Sequence, residues 1–141
     1  TDPKLRATAD QWMEWSASRP FMPVIYLFFA TVRTAPAERD PVKIANLRDE
    51  AHEALTIVDR HLSDRDYLCG DSFTMGDIPL GCVVYRYFNV DIERPPLPNV
   101  EAWYDRLSRR KAYQNHVMRH FGTNPEEWAA LEKACASEGV I

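Results

Sequence analysis

Thr74 and Asp77 stand three residues apart, and that spacing carries the best-defined side-chain chemistry in this chain. In Phe73-Thr74-Met75-Gly76-Asp77-Ile78 the Thr74 hydroxyl can accept from the backbone N–H three residues on, and the Asp77 carboxylate can reach back to the N–H of Thr74. The pair is a capping box with Asp where Glu is commoner, and Phe73 and Ile78 have the spacing of a hydrophobic staple. This is structural chemistry. It suits a helix that starts inside a core, where unpaired N–H groups are costly. Replacing Asp77 by Ala is expected to cost on the order of 1–2 kcal/mol through the lost cap.

Reactive constellations are missing. The chain has no G-x-S-x-G, no phosphate loop and no H-E-x-x-H. His52 and His61 share one helical stretch at a spacing poor for a metal and read as exposed or core histidines. Cys69, Cys82 and Cys135 are widely spaced without a C-x-x-C, as in reduced, cytoplasmic proteins. No metal site and no catalytic residue is expected. Arg86 lies in an apolar stretch. If buried it needs a partner, and Asp49, Glu50 or Glu53 are the candidates; the alternative is an Arg at the helix rim that snorkels to water. Aromatic and soft side chains crowd around Pro20 and Pro23: Trp12, Trp15, Phe21, Met22, Tyr26 and Phe29. They form either core or an apolar wall for a small molecule. Core packing is the reading for Trp12, Tyr26 and Phe29, while Trp15, Phe21 and Met22 lie where a helix surface can open toward a cleft.

The elements that must position these groups are helices. From Pro41 to about Ser63 the apolar positions Leu47, Ala51, Ala54, Leu55, Val58 and Leu62 trace one helix face. Lys4 to Arg33 is a longer segment that Pro20 and Pro23 should bend or interrupt. A third helix runs from Thr74 to about Asn89 and is apolar nearly all round, as befits the centre of a bundle. After the stiff Pro95-Pro96-Leu97-Pro98 connector, Asn99 can cap a helix from Val100 to about Arg110. A short helix around Ala112 to Met118 and a last one from Pro125 to about Ser137 follow, with Gly139 as its stop. Asp2-Pro3, Asp40-Pro41 and Asn124-Pro125 each place a cap before a first-position proline. Period-two alternation is absent. The expected fold is all-α, five to six helices in one bundle.

At 141 residues and 45% hydrophobic, the chain is the size of one domain with a real core. Its net charge of −4, with no dominant basic stripe, disfavours nucleic acid as a partner. No stretch is long and apolar enough to span a membrane, and no signal peptide is visible. The first residue is Thr1 rather than Met, which suggests a piece of something longer.

The stretch from Tyr67 to Gly81 closely resembles the segment that enters the central helix of the all-helical C-terminal domain of glutathione S-transferases. Pro98 to Leu107, with Arg110 and Ala112-Tyr113, is similar to that family's next helix and turn. Trp12-Met13-Glu14-Trp15 and Val32 to Asp40 resemble the first helix of bacterial members. The resemblance implies one helical C-terminal domain over residues 1–141, with the thioredoxin-like domain that holds glutathione, the co-substrate, outside this chain. It implies a parent transferase that conjugates or reduces electrophiles, as in detoxification, and a fragment inactive by itself that binds no cofactor. A free thiol with pKa near ~8.5 is only partly ionised at pH 7, so the missing domain must stabilise the thiolate. The helical domain would supply the electrophile's wall: Trp15, Phe21, Met22 and Tyr26, closed by Tyr85 and Phe121. Ser18 and Arg19 are the candidate contacts to glutathione. Bacterial relatives tend to have Gln where Ser16 stands and Asn where Arg19 stands; Lys111 occupies a usual proline and Gly76 a usual alanine. A homodimer, with the first two helices at its interface, is implied too. The alternative is a non-catalytic interaction module of the kind borrowed by translation and stress-response proteins.

Overall fold

The computed structural model describes residues 2–137, so the Gly139 stop lies outside the described residues. Seven α-helical segments follow in order: α1 (Pro3–Ser18), α2 (Phe21–Thr31), α3 (Pro41–His61), α4 (Asp77–Asn89), α5 (Pro98–Ser108), α6 (Lys111–His116) and α7 (Pro125–Ser137). Because α1 and α2 are the halves of one interrupted helix, the bundle has six rods. Among the described residues there is no strand, only an isolated bridge between Tyr67 and Gly70. The fold is all-α.

The break between α1 and α2 follows from Pro20, which has no N–H to continue the ladder. The last bond of α1 runs from Arg19 N–H to the Trp15 carbonyl, and Val24 N–H then donates to the Pro20 carbonyl to open α2. Pro23 falls in the first turn of α2, where a missing N–H costs nothing. Asp2 accepts from the Lys4 N–H, Asp40 from those of Val42 and Lys43, and Asn124 from that of Glu127, so all three Asx-Pro starts are capped.

Helix α4 is the axis of the bundle and buries Leu80, Gly81, Val83, Val84, Tyr85 and Tyr87. Helices α1, α2 and α5 pack on it, and α3 lays Ala51, Ala54, Leu55 and Val58 against α2 and α5. The Tyr113 hydroxyl of α6 donates to the Gly81 carbonyl at 2.6 Å, and Gly81 also lets α5 come close: an added Cβ would stand 3.0 Å from Leu107 Cδ1.

The entry to α4 differs from the sequence reading in two respects. Regular helix begins at Asp77, and the residues from Thr74 form a tighter turn in which Asp77 N–H donates to the Thr74 carbonyl and Ile78 N–H to that of Met75. The Thr74 hydroxyl therefore accepts from Gly76 N–H, two residues on, at 3.2 Å rather than from the residue after it. The staple does not close. Ile78 is 52% exposed, and Phe73 turns instead to Tyr67 and to Arg110, whose guanidinium lies 3.7 Å from the ring centroid. The reach-back of Asp77 to Thr74 N–H is present at 2.8 Å.

Asp77 also does more than cap. Its carboxylate is fully buried and accepts from Leu68 N–H at 2.9 Å, from the Thr74 hydroxyl at 3.1 Å and from the Trp103 indole N–H at 3.0 Å. One side chain thus joins the 67–70 turn, the start of α4 and the middle of α5. Gly70, at φ 124°, lets that turn close through reciprocal bonds with Tyr67 and so aims Leu68 N–H at the carboxylate.

Helix α5 is capped from outside. It starts at Pro98, two residues earlier than an Asn99 cap would allow. Asp59 of α3 accepts from the Asn99 and Val100 N–H groups at 2.8 and 3.0 Å, and the Asn99 amide bonds back to Asp59. A residue that reads as part of the polar face of α3 is therefore the N-terminal cap of a helix 40 residues on.

Candidate functional site

Two hollows adjoin along α4. The first, about 320 Å³, lies where α1 gives way to α2 and is lined by Ser16, Ala17, Phe21, Val24, Ile25 and Pro79, together with Cys82, Val83 and Arg86. The second, about 450 Å³, lies between α4, the 116–121 segment and α7, and Cys82 and Arg86 line it as well. These volumes are in the range of small-molecule sites.

The fold brings together Phe21 in the first hollow and Tyr85 and Phe121 in the second. Tyr85 and Phe121 meet edge to face at 5.8 Å, and Phe121 meets Phe28 at 5.0 Å. The Tyr85 hydroxyl donates to the Arg119 carbonyl at 2.9 Å, which ties the 117–121 segment to α4. Trp128 of α7 stacks edge-on against Phe28 at 5.3 Å and closes the far side. Helix α7 buries none of its own residues and is held by such aromatic contacts.

Other predicted residues fall elsewhere. Trp15 lines neither hollow; it packs on Trp12 at 5.3 Å, and Trp12 in turn lies 4.5 Å from the His61 ring. Met22 and Tyr26 are exposed, as is Phe29, so the core reading of Tyr26 and Phe29 is corrected. The physical reason is that α2 is apolar on every side, and Val24, Leu27, Phe28, Ala30 and Thr31 are the residues it buries. Phe21, Met22, Tyr26 and Phe29 remain as an outer apolar strip flanked by Arg33. Ser18 turns its hydroxyl to the Trp15 carbonyl, and Arg19 is exposed at the end of α1. Ser16 is buried with its hydroxyl on the Trp12 carbonyl.

Arg86 has found none of the acids proposed for it. It forms no ion pair among the described residues, donates to the Cys82 carbonyl at 3.3 Å, and lies 5.9 Å from the Phe28 centroid. Sequence reasoning singled it out as a charge in apolar surroundings but placed it against α3; the helix phase that points it to the hollows was visible only once Phe28 and Cys82 were located. Cys82 was missed as a wall residue.

The site contains no activated nucleophile. Burial pushes the Cys82 thiol up, only partly opposed by Arg86, and burial likewise raises the Tyr85 phenol. At neutral pH both are neutral surfaces. The arrangement can receive an apolar molecule and exclude water around it. No group of His, Cys, Asp and Glu suited to a metal occurs among the described residues.

Comparison with known proteins gives the family. The family model for "Glutathione S-transferase, C-terminal domain" matches residues 41–106. Glutathione S-transferase GstB of Escherichia coli K12 is 33% identical over 116 residues, which is 82% of this chain and 56% of that protein. The theta class glutathione S-transferase of Xanthomonas axonopodis pv. citri, in its structure with glutathione bound, superposes with a TM-score of 0.82 at 43% identity, covering 86% of this chain and 64% of that one. Elongation factor 1-gamma of Danio rerio is 25% identical over 105 residues, 72% of this chain and 23% of that protein. The chain spans about half the length of the curated transferase it matches. By sequence and by fold, the chain belongs to the glutathione S-transferase family, as its all-helical C-terminal domain.

Proposed function

We propose that this domain is the electrophile-binding half of a glutathione transferase. The carrying observation is a pair of adjoining hollows along α4, walled by Phe21 and Val83 in the first and by Tyr85 and Phe121 in the second. Such a wall accelerates a reaction by holding the electrophile beside the sulfur and excluding water. The thiolate-stabilising group and most glutathione contacts belong to a thioredoxin-like domain upstream. Ser18 and Arg19, at the end of α1, form the edge nearest the peptide's carboxylates. The relative solved with glutathione bound supports glutathione as the co-substrate. The elongation factor likeness is weaker in identity and coverage, which favours the enzyme over an assembly module.

The test is retention on immobilised glutathione combined with conjugation of 1-chloro-2,4-dinitrobenzene. The whole protein is expected to be retained and active, and residues 1–141 alone to be neither. Retention of the isolated domain would overturn this placement of the peptide site, and an inactive whole protein would overturn the transferase reading.

The exposed strip on α2 is assigned to a homodimer interface. Met22, Tyr26 and Phe29, large, apolar and exposed, line neither hollow and form a patch of the sort that marks a contact surface, while Phe21 stays with the first hollow. Tyr26→Asp is expected to convert a dimer to a monomer in sedimentation equilibrium without lowering the melting midpoint of the domain. A wild-type monomer at micromolar concentration would refute the assignment.

A further inference from the structure

Arg86 is the one charged side chain that lines both hollows. A guanidinium offers five N–H donors, and among the described residues only one of those of Arg86 meets a protein acceptor, the Cys82 carbonyl. Its hydrocarbon stem and one face are occupied by apolar neighbours: Phe28 lies beneath it, and Phe21, Val24 and Val83 share the first hollow. Among the described residues, the remaining donors have no carboxylate to satisfy them. Around the second hollow the imbalance continues. Two guanidiniums, those of Arg86 and Arg119, stand against the carboxylate of Glu132, in a chain whose net charge is −4. A concentration of positive charge in one apolar cleft of an acidic domain raises the local concentration of anions.

We propose that Arg86 makes this cleft selective for amphipathic electrophiles that carry a carboxylate or similar planar anion. The apolar body lies against Phe21, Val24 and Val83, and the anion is received by the free edge of the Arg86 fork. That edge matches a carboxylate with two parallel N–H···O bonds, a geometry that Lys cannot reproduce. Because the site is partly withdrawn from water, these bonds are stronger than at an open surface. The inference rests on the transferase reading only for the word electrophile; recognition of the anion follows from the cleft alone. In the reaction the glutathione thiolate attacks the electrophilic carbon, a C–S bond forms, the leaving group departs with its electron pair, and the thiol proton passes to solvent. Arg86 takes no part in bond making and acts as a specificity-determining contact.

The test uses the whole protein and two matched pairs. Binding is measured by calorimetry with unreactive 4-propylbenzoate and its methyl ester, and turnover with 4-(bromomethyl)benzoate and its methyl ester, from which bromide leaves. Arg86→Met is expected to weaken 4-propylbenzoate about tenfold, with the ester changing less than about twofold, and to lower the acid-to-ester ratio of kcat/KM by about the same factor. Arg86→Lys should weaken the acid by a smaller factor and leave the ester unchanged. Equal binding of acid and ester in the wild type, or equal effects of Arg86→Lys on both, overturns the inference. If Arg86→Met loses both ligands together, the cleft has collapsed and the Arg86→Lys pair decides. Anion binding through Arg86 without turnover of either bromide would sink the transferase reading and sustain this one; turnover of the ester with no Arg86-dependent discrimination would do the reverse.

Discussion

Asp77→Ala is expected to destabilise the domain by about 4 kcal/mol, well beyond the loss of a helix cap, because it strands buried donors that each cost roughly 1–3 kcal/mol when unpaired. The donors are the N–H groups of Leu68 and Thr74 and the indole N–H of Trp103. The Leu68 and Trp103 donors cannot turn to water, since both residues are fully buried, while Thr74 is half-buried. With typical domain stabilities of about 5–15 kcal/mol, a loss of this size brings the fold near its limit. Urea denaturation is the measurement: the midpoint should fall sharply. Trp103→Phe, which removes one donor and keeps the ring, should cost only about 1 kcal/mol and recover part of the loss when combined with Asp77→Ala. Additive effects of the two substitutions, or a cost for Asp77→Ala of no more than about 1 kcal/mol, would show that the carboxylate is only a cap.

Phe28→Ala is the second large effect and bears on the cleft. Phe28 is 2% exposed and touches the cleft from behind: Phe121 at 5.0 Å, Trp128 at 5.3 Å and the Arg86 guanidinium at 5.9 Å. Truncation of a buried Phe costs about 3–5 kcal/mol from lost transfer energy and the cavity left behind. The local consequence is sharper than the global one. Helix α7 has no buried face of its own, so loss of the ring under Trp128 removes its main apolar hold. Limited trypsin digestion should then cut after Lys133 much faster than in the wild type, at urea concentrations where the rest of the domain is still folded. Unchanged cleavage at Lys133 with a normal denaturation midpoint would show that α7 is held by other contacts, such as the Arg39 bond to the Thr123 carbonyl.

Local chemistry was legible from sequence where its partners are near in the chain. Thr74 and Asp77, the three Asx-Pro starts and the inward face of α3 all depend on residues within one or two turns, and each is present in the structure. Long-range duties were not legible. Asp59 has the sequence context of any polar residue on an amphipathic helix, yet it caps α5. Trp103 gives no sign in sequence that its N–H ends on Asp77. The aromatic segment failed for a different reason. Periodicity selects a buried face only when the opposite face is polar, and α2 has no polar face. Sequence position therefore suggests core for Tyr26 and Phe29, which are outside, and cleft for Trp15, which packs on Trp12. Phe21, Tyr85 and Phe121 could be nominated from position and chemistry, but their convergence depends on how the 117–121 segment folds back through the Tyr85–Arg119 bond.

A crystal structure of the whole protein with S-(4-nitrobenzyl)glutathione would test the account most directly. The account predicts that the nitrobenzyl group lies against Phe21, Val83, Tyr85 and Phe121, with the peptide held mainly by residues upstream of this chain. A nitrobenzyl group seated on Tyr26 and Phe29, or a conjugate that touches the helical domain only through its peptide, would contradict it.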